Sequence, residues 1–285
     1  NNLLYLIDEK IKAATLIGCK IKIQEIIIPS SITFQGKEYD IISIYQNAFE
    51  LIPLKTIQFA SDSKLRIFGK HAFSFTSLSR ITIPSQVREI SEHAFSNCKY
   101  LKQVEILSNS NLRNIGSSAF YKSPIESLTI ASTLKELKDN WCNFTPKLNQ
   151  IRVNPENAYF DTFLIKKSRI EQYNYDRLEF CVRKAETVRI PNFIEHICSH
   201  AFHLCKKLRK VEIGHDSRLK SFGEESFRES SIEKIAIPCQ VTEVCEASFF
   251  YCRNLRIVEI ENDSKSTILR RSVMKHSQDH QLKTL

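Results

Sequence analysis

The apolar positions of the chain form one phrase that keeps returning: Leu-x-x-Ile-x-Ile, a turn, an aliphatic-x-x-aliphatic pair, a small residue, and an Ala-Phe pair. The first element reads LSRITI (78–83), LKQVEI (101–106), LNQIRV (148–153), LRKVEI (208–213) and LRIVEI (255–260). Alternation of apolar and polar residues with β-branched inward positions predicts a short strand. The Ala-Phe pairs are Ala48-Phe49, Ala72-Phe73, Ala94-Phe95, Ala119-Phe120 and Ala201-Phe202. Ser226-Phe227 and Ser248-Phe249 are degenerate copies, and Cys142, after Trp141, fills the same slot. The steps between these positions are 24, 22, 25 and 22 residues, then 60, then 25 and 22.

A period of this size lies in the leucine-rich-repeat range of roughly 20–29 residues. The turn after each strand alternates in length. It spans six residues from Phe59 to Leu65, Ile106 to Leu112 and Ile213 to Leu219. It spans four from Ile83 to Val87, Ile130 to Leu134, Ile190 to Ile194 and Ile237 to Val241. Pro29, Pro84, Pro191 and Pro238 follow strand-ending isoleucines, where proline fixes φ and cannot continue a ladder. One block cannot bury its apolar face alone, so blocks must stack into a continuous column of Ile, Leu and Phe. The expected fold is a β-rich leucine-rich-repeat solenoid of about eight repeats of 22–25 residues.

Two stretches break the period. Residues 1–28 carry LLYLID and AATLIG around EKIK and predict an N-terminal capping hairpin, since the open end of a stack needs a cover. Residues 154–186 carry FLI and LEFCV around a polar middle and predict an inserted β-hairpin. The chain then divides into the cap (1–28), a first repeat block (29–153), the inserted hairpin (154–186) and a second repeat block (187–285), all within one solenoid. Residues 281–285 read as the start of another strand, so the array is expected to continue.

Composition narrows the class. With 42% hydrophobic and 26% charged residues the chain is globular, and no apolar run approaches membrane-spanning length. Six glycines and eight prolines exclude collagen-like sequence and long flexible linkers. The net charge of +9 favours an acidic partner without specifying nucleic acid. Nine cysteines, an odd number in a chain too long to need disulfide staples, read as reduced thiols.

The combination IPxxVxxIxxxAFxxCxxLxxVxI stands in ITIPSQVREISEHAFSNCKYLKQVEI (81–106) and IAIPCQVTEVCEASFFYCRNLRIVEI (235–260). It resembles the BspA-like leucine-rich-repeat proteins, the treponemal-type repeat class, and the likeness covers nearly the whole chain. The resemblance implies a β-rich solenoid with a binding role. Relatives in oral bacteria and trichomonad-type protists are described as surface antigens or adhesins.

The chemistry that stands out is Cys198-Ser199-His200-Ala201-Phe202-His203-Leu204-Cys205, whose two Cys and two His are zinc-ligand types. The repeat frame gives them another meaning. Cys198 occupies the slot of Gly69, Ser91 and Gly116; Cys205 that of Thr76, Cys98 and Ser123; His200 that of Asn47, His71, His93 and Ser118. These are structural slots, shared with residues that cannot ligate a metal. No nucleophile–base pair, phosphate loop or dinucleotide fingerprint is present, so no catalytic residue, metal or cofactor is expected. Sequons stand at Asn143 and Asn262, and short basic clusters at Lys166-Lys167, Lys206-Lys207 with Arg209-Lys210, and Arg270-Arg271. The clusters lack the continuous stripe with interleaved aromatics that a single-strand nucleic-acid binder uses, so no nucleic acid is expected.

The candidate site is the face opposite the strands' buried positions, the concave sheet of a solenoid. Stacking predicts two outward rows there. One carries Arg80, Gln103, Gln150, Lys210 and Lys234; the other carries Thr82, Glu105, Arg152, Arg189 and Glu212. The basic members suit a protein partner with an acidic surface. The expected role is a non-enzymatic interaction module, an intracellular scaffold on a cytoskeletal or similar assembly. The alternative is a cell-surface adhesin for host or matrix proteins.

Overall fold

The structure is a computed structural model and describes residues 2–130, 133–138, 140–153, 162–166, 176–245, 247–260 and 283–284. The polar middle of the inserted hairpin, the Asn262 sequon and the Arg270-Arg271 pair lie outside the described residues. The chain forms two compact units, Asn1–Ala158 and Tyr159–Leu285.

In the first unit each turn of the solenoid contributes two strands. Thr56–Phe59, Arg80–Ile83, Gln103–Ile106, Ser127–Ile130 and Gln150–Val153 come from the Leu-x-x-Ile-x-Ile strings. The last four form one parallel sheet, with Val104 opposite Ile81 and Ile151 opposite Leu128. The aliphatic-x-x-aliphatic pairs, read from the sequence only as apolar contacts, hold two-residue strands: Ile67–Phe68, Glu89–Ile90, Asn114–Ile115 and Glu136–Leu137. These extend a sheet that begins with the antiparallel hairpin Leu3–Asp8 and Ala13–Cys19, followed by Lys37–Ile44. The hairpin covers the open end of the stack, which would otherwise present unpaired backbone.

The second unit repeats the plan. Phe163–Lys166 pairs antiparallel with Arg177–Cys181, and His196–Ile197, Ser221–Phe222 and Glu243–Val244 follow in parallel. The other sheet stacks Thr187–Ile190, Lys210–Ile213, Lys234–Ile237, Ile257–Ile260 and Lys283–Thr284. Among the described residues there is no helix long and apolar enough to cross a membrane.

The Ala-Phe segments make a further side of each turn without regular strands. Their backbone is bent by two left-handed residues four apart, one just before the Ala and one two after the Phe. Examples are His71 and Phe75, His93 and Asn97, and His200 and Leu204, with φ between 55 and 62°. Asn and His tolerate this region better than most side chains, which accounts for Asn47, His71, His93 and His200 before the Ala and for Asn140 before Trp141. Backbone bonds between turns offset the strain: Phe73 N–H donates to Ala94 O, and Phe95 N–H to Ala119 O, both at 2.8 Å.

Inside, the phenylalanines stack. Phe49, Phe73, Phe95 and Phe120 stand with centroids 5.5, 5.0 and 5.6 Å apart and planes within 10°. Phe202, Phe227 and Phe249 form the equivalent column in the second unit at 4.5 and 5.3 Å. Beside the rings runs a file of small donors. Cys98 Sγ donates to Phe73 O at 3.1 Å, Ser123 Oγ to Phe95 O at 2.6 Å, and Cys252 Sγ to Phe227 O at 2.9 Å. Burial pushes the Cys98 and Cys252 thiols up to about 11, so they remain protonated donors.

Candidate partner-binding face

The outward rows form within each unit. In the first, Arg80, Gln103, Ser127 and Gln150 are in register, as are Thr82 with Glu105 and Thr129 with Arg152. In the second, Thr187, Lys210, Lys234 and Ile257 align, as do Arg189 with Glu212 and Ala236 with Glu259. Arg80, Thr82, Gln103, Glu105, Gln150, Arg189, Lys210 and Lys234 are exposed, and Glu212 is half-buried. Arg152 is placed by its backbone alone.

The charges on these rows are less free than their sequence suggests. Lys210 Nζ lies 2.7 Å from Glu212 Oε1, Lys234 Nζ 2.5 Å from Glu259 Oε1, and Thr82 Oγ1 donates to Glu105 Oε2 at 2.8 Å. Exposed pairs of this kind contribute little stability, but they neutralise the face locally. Among the described rows, Arg80 and Arg189 are the cations with no acidic partner within ion-pair distance.

The ladder also has a break. Glu25–Ile28 and Thr56–Phe59 pair with each other, yet Thr56–Phe59 makes no ladder with Arg80–Ile83, the next strand of the stack. Between them lies a cleft of about 540 Å³ lined by Thr56, Gln58, Phe59, Arg80, Thr82 and Pro84 among others. On the opposite side the same two turns remain closed. Phe49 N–H donates to Ala72 O at 2.8 Å, and Ile44 pairs with Phe68. The opening is therefore a wedge. Phe59 occupies the slot held by Ile83 and Ile106 in the following turns, and its ring stacks on Phe68 of the same turn at 5.7 Å. The strings TIQF and RITI both fit the repeat, so the missing ladder between them leaves no mark in the lettering.

The Cys/His cluster is dispersed by its neighbours. Cys198 Sγ donates to Glu179 Oε1 at 2.9 Å, and Cys205 Sγ lies 3.5 Å from Arg183 Nη1. His200 Nδ1 lies 3.3 Å from Glu225 Oε2, and His203 is fully buried. Asp176, Glu195 and His196 place three ligand-type atoms within 4.8 Å of one another. Two of those groups are already engaged: Glu195 Oε2 with Lys220 Nζ at 2.5 Å, and His196 Nδ1 with Ser221 Oγ at 2.8 Å. The first sequon also takes on a structural role: Asn143 is buried and Thr145 Oγ1 donates to Cys142 O at 2.6 Å, so a glycan on Asn143 is incompatible with the folded stack.

Burial lowers His200 to about 4 and holds His203 well below the usual histidine range, with Arg183 adding to the effect on both. The Glu224 carboxylate opposes the His200 shift without cancelling it, and Arg228, which pairs with Glu225 at 2.5 Å, adds to it. A histidine kept neutral in the fold contributes stability that is full above its unfolded pKa of about 6.5 and is lost as pH falls toward the folded value. Lowering pH from 7 to 4.5 is expected to destabilise the second unit by about 2 kcal/mol through His200. His200→Asn, which suits the left-handed backbone, should flatten that slope. The check is the pH dependence of amide exchange at Phe202 and Phe227 in both proteins; parallel profiles would refute the role given to His200.

These observations define a repeat protein of the β-solenoid class, with about ten turns, a phenylalanine spine and an exposed strand face. The chain belongs to the BspA type leucine rich repeat region family, whose model matches it in six copies across residues 9–149, 66–180 and 176–278. No curated protein sequence matches the chain. Among solved structures it is similar to the pneumococcal vaccine antigen PcpA, at TM-score 0.71 and 18% identity over 93% of this chain and 81% of that one. A leucine rich cell surface protein of Faecalibacterium prausnitzii superposes at TM-score 0.60 and 18% identity, over 91% and 87% of the two chains. A T. pallidum leucine rich repeat protein does so at 0.52 and 18%, over 96% and 93%. At these identities the likeness shows the fold.

Proposed function

We propose that the chain is a protein-binding module that holds its partner on the outward rows of the four-residue strands. The observation that carries this is register: Arg80, Gln103, Ser127 and Gln150 stand on adjacent parallel strands, as do Thr187, Lys210 and Lys234, forming files in which all but the half-buried Ser127 are exposed. Files on strands bind without the ordering cost that mobile loops incur. A photo-crosslinking residue at Gln103 or Gln150 should capture the physiological partner in native cells, whereas one at Arg113, exposed before the Asn114–Ile115 strand, should not. Equal capture at all three positions would remove the strand face as the site.

The unpaired cations give the partner an acidic surface. Arg80→Glu with Arg189→Glu should weaken binding about tenfold and flatten its salt dependence. An unchanged affinity would exclude the acidic partner. We place the module inside the cell as a scaffold or assembly component, because Cys98 and Cys252 work as protonated donors to buried carbonyls and oxidation would remove those bonds. The surface-antigen reading draws support from PcpA, a vaccine antigen, and from the Faecalibacterium cell surface protein. Intact mass of native protein, alkylated without reduction, separates the two: nine alkylated thiols support the scaffold, and missing thiols support the surface.

A further inference from the structure

We propose that the wedge between the Thr56–Phe59 and Arg80–Ile83 strands docks an extended acidic peptide segment, which pairs its backbone with the open edge of Arg80–Ile83 and sets a carboxylate on Arg80. This rests on the strand face being the binding surface, and names where and how a partner is held.

The orientation of the free groups follows from their neighbours. Gln103 N–H donates to Ser79 O, and Arg80 stands opposite Gln103 in that parallel ladder. Alternate residues of a strand point to opposite sides, so Arg80 and Thr82 direct their N–H and C=O groups away from that ladder, into the wedge. On the other wall, Thr56 N–H goes to Gln24 O and Ala60 N–H to Ile28 O, which leaves Ile57 and Phe59 facing the same space. None of these four residues has a backbone partner across the wedge among the described residues. An unpaired edge is a template for another strand.

The occupant follows from that chemistry. The wall offers N–H and C=O groups at a spacing of about 6.6 Å, two residues of extended chain, which a peptide in β conformation matches and a globular surface does not. Arg80 is the charged side chain among the cleft's lining residues; no acid lines it. A carboxylate in the peptide would therefore meet an unopposed guanidinium with a fork suited to it. The wedge is already formed: the Phe49–Phe73 stack at 5.5 Å and the Leu51 N–H to Ser74 O bond at 3.0 Å keep its far side shut, while no ladder joins Thr56–Phe59 to Arg80–Ile83 on this side.

The test is amide exchange by NMR on the full chain, alone and with a pool of N-acetylated hexapeptides. The pool alternates Val or Thr with polar residues and carries one Asp at varied positions. In the free chain the Arg80 and Thr82 amides should exchange about tenfold faster than those of Gln103 and Glu105, which sit in the intact ladder. Millimolar pool should slow Arg80 and Thr82 at least about fivefold. Replacing Asp by Asn in the pool, or Arg80→Gln in the protein, should abolish most of that protection. Unchanged exchange at Arg80 and Thr82 overturns the proposal. So does equal protection by a backbone N-methylated pool, since pairing would then not be the mode. Cross-linking at Gln103 and Gln150 is independent of this experiment. Cross-linking without peptide protection refutes the wedge alone, and its absence refutes the strand-face reading itself.

Discussion

Phe95→Ala is expected to be among the most damaging single truncations in the first unit, at about 4 kcal/mol. The ring is fully buried and stacks on two neighbours, Phe73 at 5.0 Å and Phe120 at 5.6 Å, with Phe68 edge-on at 6.0 Å. Removing it leaves a void between turns whose backbones are fixed on both sides by ladder bonds. Collapse cannot recover the loss, and the cavity adds to the transfer cost. In a stack, stability is close to a sum over turns and interfaces, and Phe95 serves two interfaces. Phe49 stacks on one ring of the column, Phe73, and serves one. Phe49→Ala should therefore cost measurably less. Trp141 is the sole tryptophan and belongs to the first unit, so its fluorescence in urea reports this unit's unfolding. A Phe95→Ala midpoint no lower than that of Phe49→Ala would show that ring stacking does not set the unit's stability.

Much of this was legible because a repeat prints its structure many times. One Leu-x-x-Ile-x-Ile string says little; several at a fixed period give the strands, their parallel register and the outward rows that contain Arg80, Gln103 and Lys210. The slot argument likewise placed His200 and Cys205 among residues with backbone duties, and the left-handed φ of His200 and the position of Cys205 in the file of Thr76, Cys98 and Ser123 supply the reason. What the period could not reveal was departure from it. The wedge is a missing ladder between TIQF and RITI, two strings that both fit the repeat. The neutralised state of Lys210 and Lys234 depends on which acids lie beside them, Glu212 along the same strand and Glu259 on the next. Such pairing belongs to side-chain reach across a ladder, and a row of letters carries no information about it.

The alternation of turn length, visible in the sequence, gains its physical meaning from three glycines and yields the second large effect. Each six-residue turn ends in a slot occupied by Gly69, Gly116 or Gly223, whereas after four-residue turns the same slot holds Ser91, Lys138, Cys198 or Cys245. All make the same bond to the preceding turn: Gly116 N–H donates to Ile90 O at 2.8 Å, and Ser91 N–H to Phe68 O at 2.9 Å. Space separates them. A Cβ on Gly116 would lie 2.5 Å from Glu92 N and 2.7 Å from Ser91 C, and one on Gly223 would lie 2.5 Å from Ser199 N. These are backbone atoms of the preceding turn, which cannot swing aside as a side chain would. Neither Gly116 nor Gly223 has a positive φ, so close approach rather than backbone freedom requires glycine here. Gly116→Ala should force the two turns apart, stretch the bond to Ile90 O and destabilise the first unit by about 3 kcal/mol. Ser91→Ala, one turn earlier in the same slot, already has its Cβ accommodated, loses only the Oγ–H bond to Glu89 Oε1 at 2.6 Å, and should cost about 1 kcal/mol. Urea midpoints from Trp141 fluorescence decide the matter. If Gly116→Ala matches Ser91→Ala, the long turns do not press their backbones together, and the alternation needs another cause.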